Sequence, residues 1–272
     1  MQPDLLARAM QLAIAAALAP RSRILSSFRS ADLRAEAKAD GSPVTAADRE
    51  AERIVRETIR ASKDFGAHAI LGEEGGLEES ASLYRWIIDP IDGTRAFTRG
   101  LPTFGTIVAL EEQTTGRALV GAIHLPASGE TVSAAHGLGA FRDGVPVRGS
   151  QLDRLEDAII SAPDLAQFQE AGCPELYRTL HTSGFPRVRG YTDCWAHVQA
   201  VSGGVDVVVD PGLSAWDIKA TEVLIAEAGG RLLLRPSRAA GKVDTIFGSP
   251  VLVDALARHL GFEPRVTVGW VE

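Results

Sequence analysis

Apolar residues recur at helical spacing over residues 4–28, where Leu5, Met10, Leu12, Ile14 and Leu18 mix with alanine. This spacing predicts a helix, with Pro20 as a break or kink near its end. Residues 38–45 combine Gly, Ser and Pro and read as a loop. Thr45 reads as the N-cap of a second helix, which carries Asp48 and Glu50 in its first turns. Ala51, Ile54, Val55 and Ile59 give that helix one apolar face, and it is expected to end near residue 62. A short strand over 69–71 stops at Gly72, and the polar segment 77–82 reads as loop. Trp86-Ile87-Ile88-Asp89 is a buried strand ended by Pro90. Segments 103–110, 118–125 and 130–135 read as strands joined by Gly-containing turns, and 137–147 continues the sheet.

The pattern then alternates. Strands are expected over 158–161, 188–189, 205–209, 231–234 and 245–247, and helices over 175–183, 193–202, 216–227 and 251–260. Gly203-Gly204 and Gly229-Gly230 stop two of these helices. There is no repeat or long linker. A boundary near Ser150 is expected to divide one contiguous unit into sub-domains of residues 1–150 and 151–272.

Of the 272 residues, 45% are apolar and 23% charged, enough to build a core without disulfide or metal staples. The formal charge of −7 offers no basic surplus for a nucleic-acid partner. The two cysteines, Cys173 and Cys194, make neither a disulfide framework nor a zinc site, so reduced thiols and a cytoplasmic location are expected. No apolar run has the length of a membrane span. The apolar stretch 10–19 ends in small residues as a secretory signal does, but Asp4 precedes it beside Arg8, so it is expected to be a structural helix.

The informative segment is Asp89-Pro90-Ile91-Asp92-Gly93-Thr94. Two carboxylates lie three apart at the end of an apolar strand. Pro90 stiffens the turn, Gly93 lets a ligand approach the backbone, and Thr94 can open a helix whose first N–H groups face an anion. Acids beside an anion site make chemical sense when a hard cation joins them, which is the chemistry of magnesium and phosphate. Gly72-Glu73-Glu74 offers a third carboxylate, and Trp216-Asp217 starts a helix that can bring a fourth. Each of Glu73 and Asp217, taken singly, also reads as a surface acid, and Asp48 as a partner of its helix dipole.

Together, Gly72-Glu73-Glu74, Trp86-Ile87-Ile88-Asp89-Pro90-Ile91-Asp92-Gly93-Thr94 and Trp216-Asp217-Ile218-Lys219-Ala220 leading to Glu227-Ala228-Gly229-Gly230 resemble the inositol monophosphatase superfamily of magnesium-dependent phosphatases. Haloacid-dehalogenase phosphatases, by contrast, place Asp-x-Asp near the N-terminus. The resemblance implies an α+β fold, a layered α-β-α-β-α sandwich. It implies that Glu73, Asp89, the Ile91 carbonyl, Asp92 and Asp217 ligate Mg2+. Gly93 and Thr94 would present backbone N–H groups to the phosphate of a small-molecule ester, with Asp217 also bordering the substrate. Asp48, in Pro43-Val44-Thr45-Ala46-Ala47-Asp48, would orient the attacking water with Glu73 and Thr94. Lys38 falls where the family often has a lysine. A homodimer is likewise implied.

Two further acids bear on the substrate. Asp193 lies in Gly190-Tyr191-Thr192-Asp193-Cys194, and Asp210 precedes Asp217 by seven residues. An acidic pair suits an ester carrying an amine or imidazolium, since a charge-assisted hydrogen bond is worth about 1.5–3 kcal/mol. A helix N-cap at Asp193 and a strand-end turn at Asp210 are the competing structural readings. Tyr191-Thr192-Asp193-Cys194, with Phe97, Gly100, Pro102, Phe104 and Gly105, resembles the histidinol-phosphate phosphatase branch. Trp195-Ala196-His197 departs from it. Inositol 1-phosphate, fructose 1,6-bisphosphate and 3′-phosphoadenosine 5′-phosphate are the rival substrates. The last two want extra basic groups, for which Arg187 and Arg189 are candidates. A non-catalytic metal- and phosphate-binding protein is the alternative of a different class. The six histidines show no ligand spacing and read as surface or core positions. Cys194 reads as a packed side chain, and Trp86 and Trp216 as covers beside the acids or as plain core.

Overall fold

The computed structural model describes residues 1–30, 33–37 and 43–269; Lys38 lies outside them. The first apolar segment forms α1 (Pro3–Leu18) and α2 (Arg21–Ser27), divided at Ala19 and Pro20. Pro20 is the N-cap of the second helix, where its missing N–H leaves no helical hydrogen bond unmade. Strand β1 (Ala35–Ala37), which no sequence pattern marks, pairs antiparallel with β2 (Pro43–Thr45), so the last three residues of the segment 38–45 form a strand rather than the expected loop. Then come α3 (Ala46–Arg60), β3 (Ala69–Gly72), β4 (Gly76–Glu78), β5 (Tyr84–Asp92) and α4 (Thr94–Thr98). The meander follows as β6 (Gly105–Glu112), β7 (Arg117–Leu125), β8 (Glu130–Ala135), β9 (Gly139–Arg142) and β10 (Val145–Val147). The rest is β11 (Ile160–Ser161), α5 (Leu165–Glu170), α6 (Pro174–Thr182), β12 (Val188–Arg189), α7 (Asp193–Val201), β13 (Val207–Leu213), α8 (Ala215–Glu227), β14 (Arg231–Pro236), β15 (Val243–Gly248), α9 (Pro250–Leu260) and β16 (Val266–Gly269).

Two large sheets result. The first runs β10-β9-β8-β7-β6-β5-β3-β4, antiparallel except for β3 beside β5. The second runs β12-β11-β13-β15-β14-β16, with β11 parallel to both neighbours. Helices α1 and α3 cover the outer face of the first sheet, α7 and α8 fill the space between the sheets, and α5, α6 and α9 cover the far side of the second. The order is α-β-α-β-α, the layered α+β sandwich that the motifs implied.

Side-chain alternation explains the layering. Strand residues point alternately to the two faces of a sheet. Trp86, Ile88, Val108 and Leu110 enter the core under α1 and α3. Ile87, Ile107 and Ala109 enter the core around α7 and α8 instead. In the second sheet Val207, Val209 and Ile246 face α5, α6 and α9, while Val208 and Phe247 face inward. Strands buried on both faces read as continuous apolar runs, which is why 86–88 and 207–209 show no alternation of polarity. Trp86 is therefore outer core. It packs edge-on to Phe65 and does not cover the acids.

Besides β1 and β2, four elements differ from the sequence expectation. Residues 76–78 form edge strand β4, although all three are exposed. Helix α5 is a single six-residue stretch capped by Asp164, and β16 is a half-exposed edge strand; neither has a core stripe to reveal it. Strand β5 does not stop at Pro90 but continues to Asp92, with its pairing to β6 shifting between Asp89 and Asp92. Proline has no N–H for the ladder, so the irregularity falls there, and the Pro90 carbonyl accepts a 2.8 Å bond from Thr106 Oγ1 instead. This bulge has a functional consequence. Two residues three apart in a regular strand point to opposite faces, whereas the bulge turns Asp89 and Asp92 toward one place.

Candidate active site

Carboxylate oxygens of Asp89, Asp92 and Asp217 all lie within 4.8 Å of one another. Asp89 and Asp92 come from the bulge of β5, and Asp217 from the first turn of α8 between the sheets. Glu73 follows β3, and its N–H donates to the Ile88 carbonyl at 3.2 Å, which sets it beside the same strand. Four acids from three separate segments thus meet at one end of the first sheet. Above them opens a cavity of about 920 Å³ whose wall includes Glu73, Asp92, Gly93, Thr94 and Asp217. Asp89 lies beneath it, 2% exposed.

Asp48 and Asp217 are built alike. Each is the third residue of its helix and closes a capping box. The Thr45 N–H donates to Asp48 Oδ2 at 2.8 Å, and the Ser214 N–H donates to Asp217 Oδ2 at 2.7 Å. The cap holds one oxygen and leaves Oδ1 for other partners. Thr94 Oγ1 lies 3.3 Å from Asp48 Oδ1 and 3.0 Å from the Ile91 carbonyl, so its hydroxyl proton can go to either. The Ile91 side chain is buried in a small core with Ile24, Phe97 and Phe104, which fixes the carbonyl. Gly93 has φ +81°, a left-handed conformation that a side chain would strain. A Cβ there would lie 3.0 Å from the Thr103 carbonyl and 3.2 Å from Asp193 Oδ2. Gly93 and Thr94 line the cavity, where the short α4 offers first-turn N–H groups rather than a large dipole.

Burial, reinforced by the neighbouring carboxylates Glu73, Asp92 and Asp217, holds the Asp89 carboxyl well above its ordinary range. Asp92 is raised for the same reasons, burial first and then Asp193 and Asp217, although the Cys194 N–H donates to its Oδ2. Burial lifts Asp217 to about 7. Asp48 is raised by burial against the opposing hydrogen bonds of Thr45. Asp89 Oδ1 is buried and has no hydrogen-bond partner. Such an orphaned carboxylate oxygen, among hard oxygen donors of one sign, fits a divalent cation.

These shifts set a pH dependence. Asp193 and Asp217 titrate in the folded chain at about 6 and about 7, above the ordinary 3.8. Their stabilising contribution is full below about pH 4 and is lost as pH rises through 6 and 7. The metal-free protein is therefore expected to melt at a falling temperature between about pH 4 and 7. The stabilisation produced by added divalent cation should grow over the same window. A cation-induced rise in Tm that is independent of pH would contradict this electrostatic description.

The specificity candidates lie on the same cavity. Asp193 opens α7 with φ +55°, which aspartate tolerates better than most residues, and it accepts a 2.9 Å bond from Thr192 Oγ1. It is the first residue of the helix rather than its cap. Asp210 sits within β13, just before a shift in pairing, rather than at a strand end. Asp210 is 2% exposed. Gln167 Nε2 lies 2.8 Å from its Oδ1 and His197 Nε2 lies 3.2 Å from its Oδ2. Burial raises Asp193 to about 6, and the Asp210 charge adds to this. Arg187 and Arg189 are exposed on and beside β12 and do not line the cavity; Arg95, Arg99 and Lys242 do. Trp216 does not line it either.

Sequence reasoning missed three features of this wall. His197 is not an isolated core histidine: its Nδ1 pairs with Thr221 Oγ1 at 2.8 Å while Nε2 faces Asp210. Gln167, on the unforeseen α5, completes the grip on Asp210. Tyr191 and Trp195 pack with ring centroids 5.0 Å apart, and both border the cavity. No periodicity in the sequence marks this wall, because the residues come from the loop before α7 and from the helix itself. Cys194 is a packed thiol, as its sequence context suggested, and burial together with Asp92 pushes its pKa well up. A thiol so held is a poor nucleophile.

Residues 4–258 match the model of the inositol monophosphatase family, and the chain belongs to that family. It is 36% identical over 230 residues to a histidinol-phosphatase of Chlorobaculum parvum, covering 85% of each chain. It is 35% identical over 213 residues to an inositol-1-monophosphatase of Mesorhizobium japonicum, covering 73% of this chain and 74% of the relative. Among solved structures, the extragenic suppressor protein suhB of Bartonella henselae superposes with a TM-score of 0.83 at 26% identity, covering 94% of this chain and 99% of the other. The chain is thus a phosphatase of a generally metal-dependent family, and its acidic cluster is of the kind such enzymes use. No helix among the described residues is long and apolar enough to cross a membrane.

Proposed function

We propose that this protein hydrolyses L-histidinol phosphate to L-histidinol and phosphate with magnesium, as a cytoplasmic homodimer. The observation that carries the substrate choice is a carboxylate, Asp193, on the cavity wall against the phosphate-binding glycine Gly93, with Asp210 behind it. Glu73, Asp89, the Ile91 carbonyl, Asp92 and Asp217 would hold the magnesium. When bound, magnesium makes water a nucleophile near neutral pH and neutralises charge on the phosphoryl group. Gly93 and Thr94 direct backbone N–H groups at the phosphate. Asp48, Thr94 and Glu73 orient the attacking water and take up its proton, Thr94 using the hydroxyl that already reaches Asp48. Displacement by water requires no phosphoenzyme, in keeping with a buried, protonated Cys194.

Asp193 meets the cationic end of the substrate directly. Asp210, enclosed by Gln167 and His197, acts through its field. Such a pair favours an amine or imidazolium and gives a neutral polyol nothing comparable. Likeness to a histidinol-phosphatase supports this choice, and the nearly equal likeness to an inositol-1-monophosphatase makes the comparison of substrates the decisive test. Phosphate release is to be measured from histidinol phosphate, inositol 1-phosphate, fructose 1,6-bisphosphate and 3′-phosphoadenosine 5′-phosphate, each with magnesium and with chelator. The expected result is magnesium-dependent release with the highest kcat/KM on histidinol phosphate. Preference for another ester would overturn the role given to Asp193, and no release from any would favour a binding protein without catalysis.

A further inference from the structure

The turn that carries Glu73 is gripped from below by a carboxylate outside the cavity. Glu52 lies one helical turn beyond Asp48 on α3 and is 2% exposed. Its Oε2 accepts the Glu74 N–H at 2.7 Å and its Oε1 accepts the Gly75 N–H at 2.8 Å. Arg56, a further turn along, donates from Nε to the same Oε1 at 2.8 Å and from Nη2 to the Gly76 carbonyl at 2.7 Å. The contact leaves no room for side chains: a Cβ on Gly72 would lie 2.3 Å from Glu52 Oε1, and one on Gly75 2.6 Å from it. Glu52 makes no contact with the cavity, yet both its oxygens are spent on the two residues that follow Glu73.

We infer that Glu52 is a positioning residue, which with Arg56 fixes the Glu73 turn and so sets the affinity of the acidic cluster for its cation. The inference rests on the reading of Glu73 as a metal ligand. A buried ionic grip on two backbone N–H groups holds a turn more firmly than neutral bonds would, and groups that orient metal ligands typically change affinity ten- to a hundredfold when altered. Helix α3 would then serve the site twice, presenting Asp48 to Thr94 and restraining Glu73 from four residues further on.

The test is binding of Mn2+ to the full chain, read as free ion by electron paramagnetic resonance and so independent of turnover. Glu52→Gln replaces one acceptor oxygen by an amide that opposes a backbone N–H. Gly75→Ala drives the Glu52 carboxylate aside without altering it. Both are expected to weaken Mn2+ binding ten- to a hundredfold. Val55→Ala, on the same helix and fully buried away from the turn, controls for general loosening and is expected to stay within about twofold of the parent. Glu73→Gln is the reference. Should it bind Mn2+ like the parent, the ligand role of Glu73 is wrong and the inference falls with it. Should it weaken binding while Glu52→Gln and Gly75→Ala do not, or should Val55→Ala weaken binding equally, the positioning role alone is overturned. If Glu52→Gln does not fold, Gly75→Ala decides.

Discussion

Asp89→Asn is expected to abolish phosphate release, lowering kcat/KM by at least about 10³-fold, while making the metal-free protein more stable. The two effects share one cause. Asp89 is buried, one of its oxygens has no hydrogen-bond partner, and its neighbours are carboxylates. An asparagine fits the same space, carries no charge, and offers an amide that can donate to the acids around it. Removing a buried like-charge repulsion of this kind is worth roughly 1–3 kcal/mol, or about 2–5 °C in Tm for a chain of this size. Thermal unfolding in chelator, with an assay at saturating magnesium, checks both parts. A variant that loses activity and stability together would show Asp89 to be a structural acid. A variant that keeps a near-normal rate would remove Asp89 from the metal site.

Asp193→Asn is expected to separate substrates. A charge-assisted hydrogen bond to a cation is worth about 1.5–3 kcal/mol, so kcat/KM on histidinol phosphate should fall about 10- to 150-fold. Any rate on inositol 1-phosphate should change by less than about threefold, because a polyol does not use the charge. Aspartate and asparagine both tolerate the left-handed conformation at this position, so the backbone of α7 is left undisturbed. Equal losses on both esters would mean that Asp193 acts through the neighbouring Asp92, whose oxygen the next residue's N–H holds, rather than through the substrate.

Sequence alone showed the acids because the chemistry constrains their local spelling: a strand end, a glycine that frees the backbone, and a helix start. It did not show how Asp89 and Asp92 come to face one site. In sequence Pro90 reads as a stop, whereas it marks a bulge within β5, and only the partner strand β6 reveals the shifted register. From sequence, Asp48 also reads as a partner of its helix dipole and Asp217 as a surface acid. The capping boxes show that one carboxylate can both cap its helix and serve the site, because the cap engages a single oxygen. Glu52 was illegible. It lies among Arg49, Glu50, Arg53, Arg56 and Glu57, a run that reads as a solvated helix face, and the glycines that betray it stand about twenty residues away. His197 and Gln167 were hidden for the same reason, since their partner Asp210 arrives from a different layer. The layers themselves were legible through the family resemblance of the motifs, whereas the apolar runs by themselves mark only buried strands.

The most direct measurement is anomalous diffraction from crystals of the protein soaked in Mn2+, a hard cation that scatters where magnesium does not. The expected result is ion density bounded by Glu73, Asp89, Asp92 and Asp217, lost in crystals of Asp89→Asn. Density elsewhere in the chain with none among these four acids would contradict the assignment of this cluster as the catalytic centre.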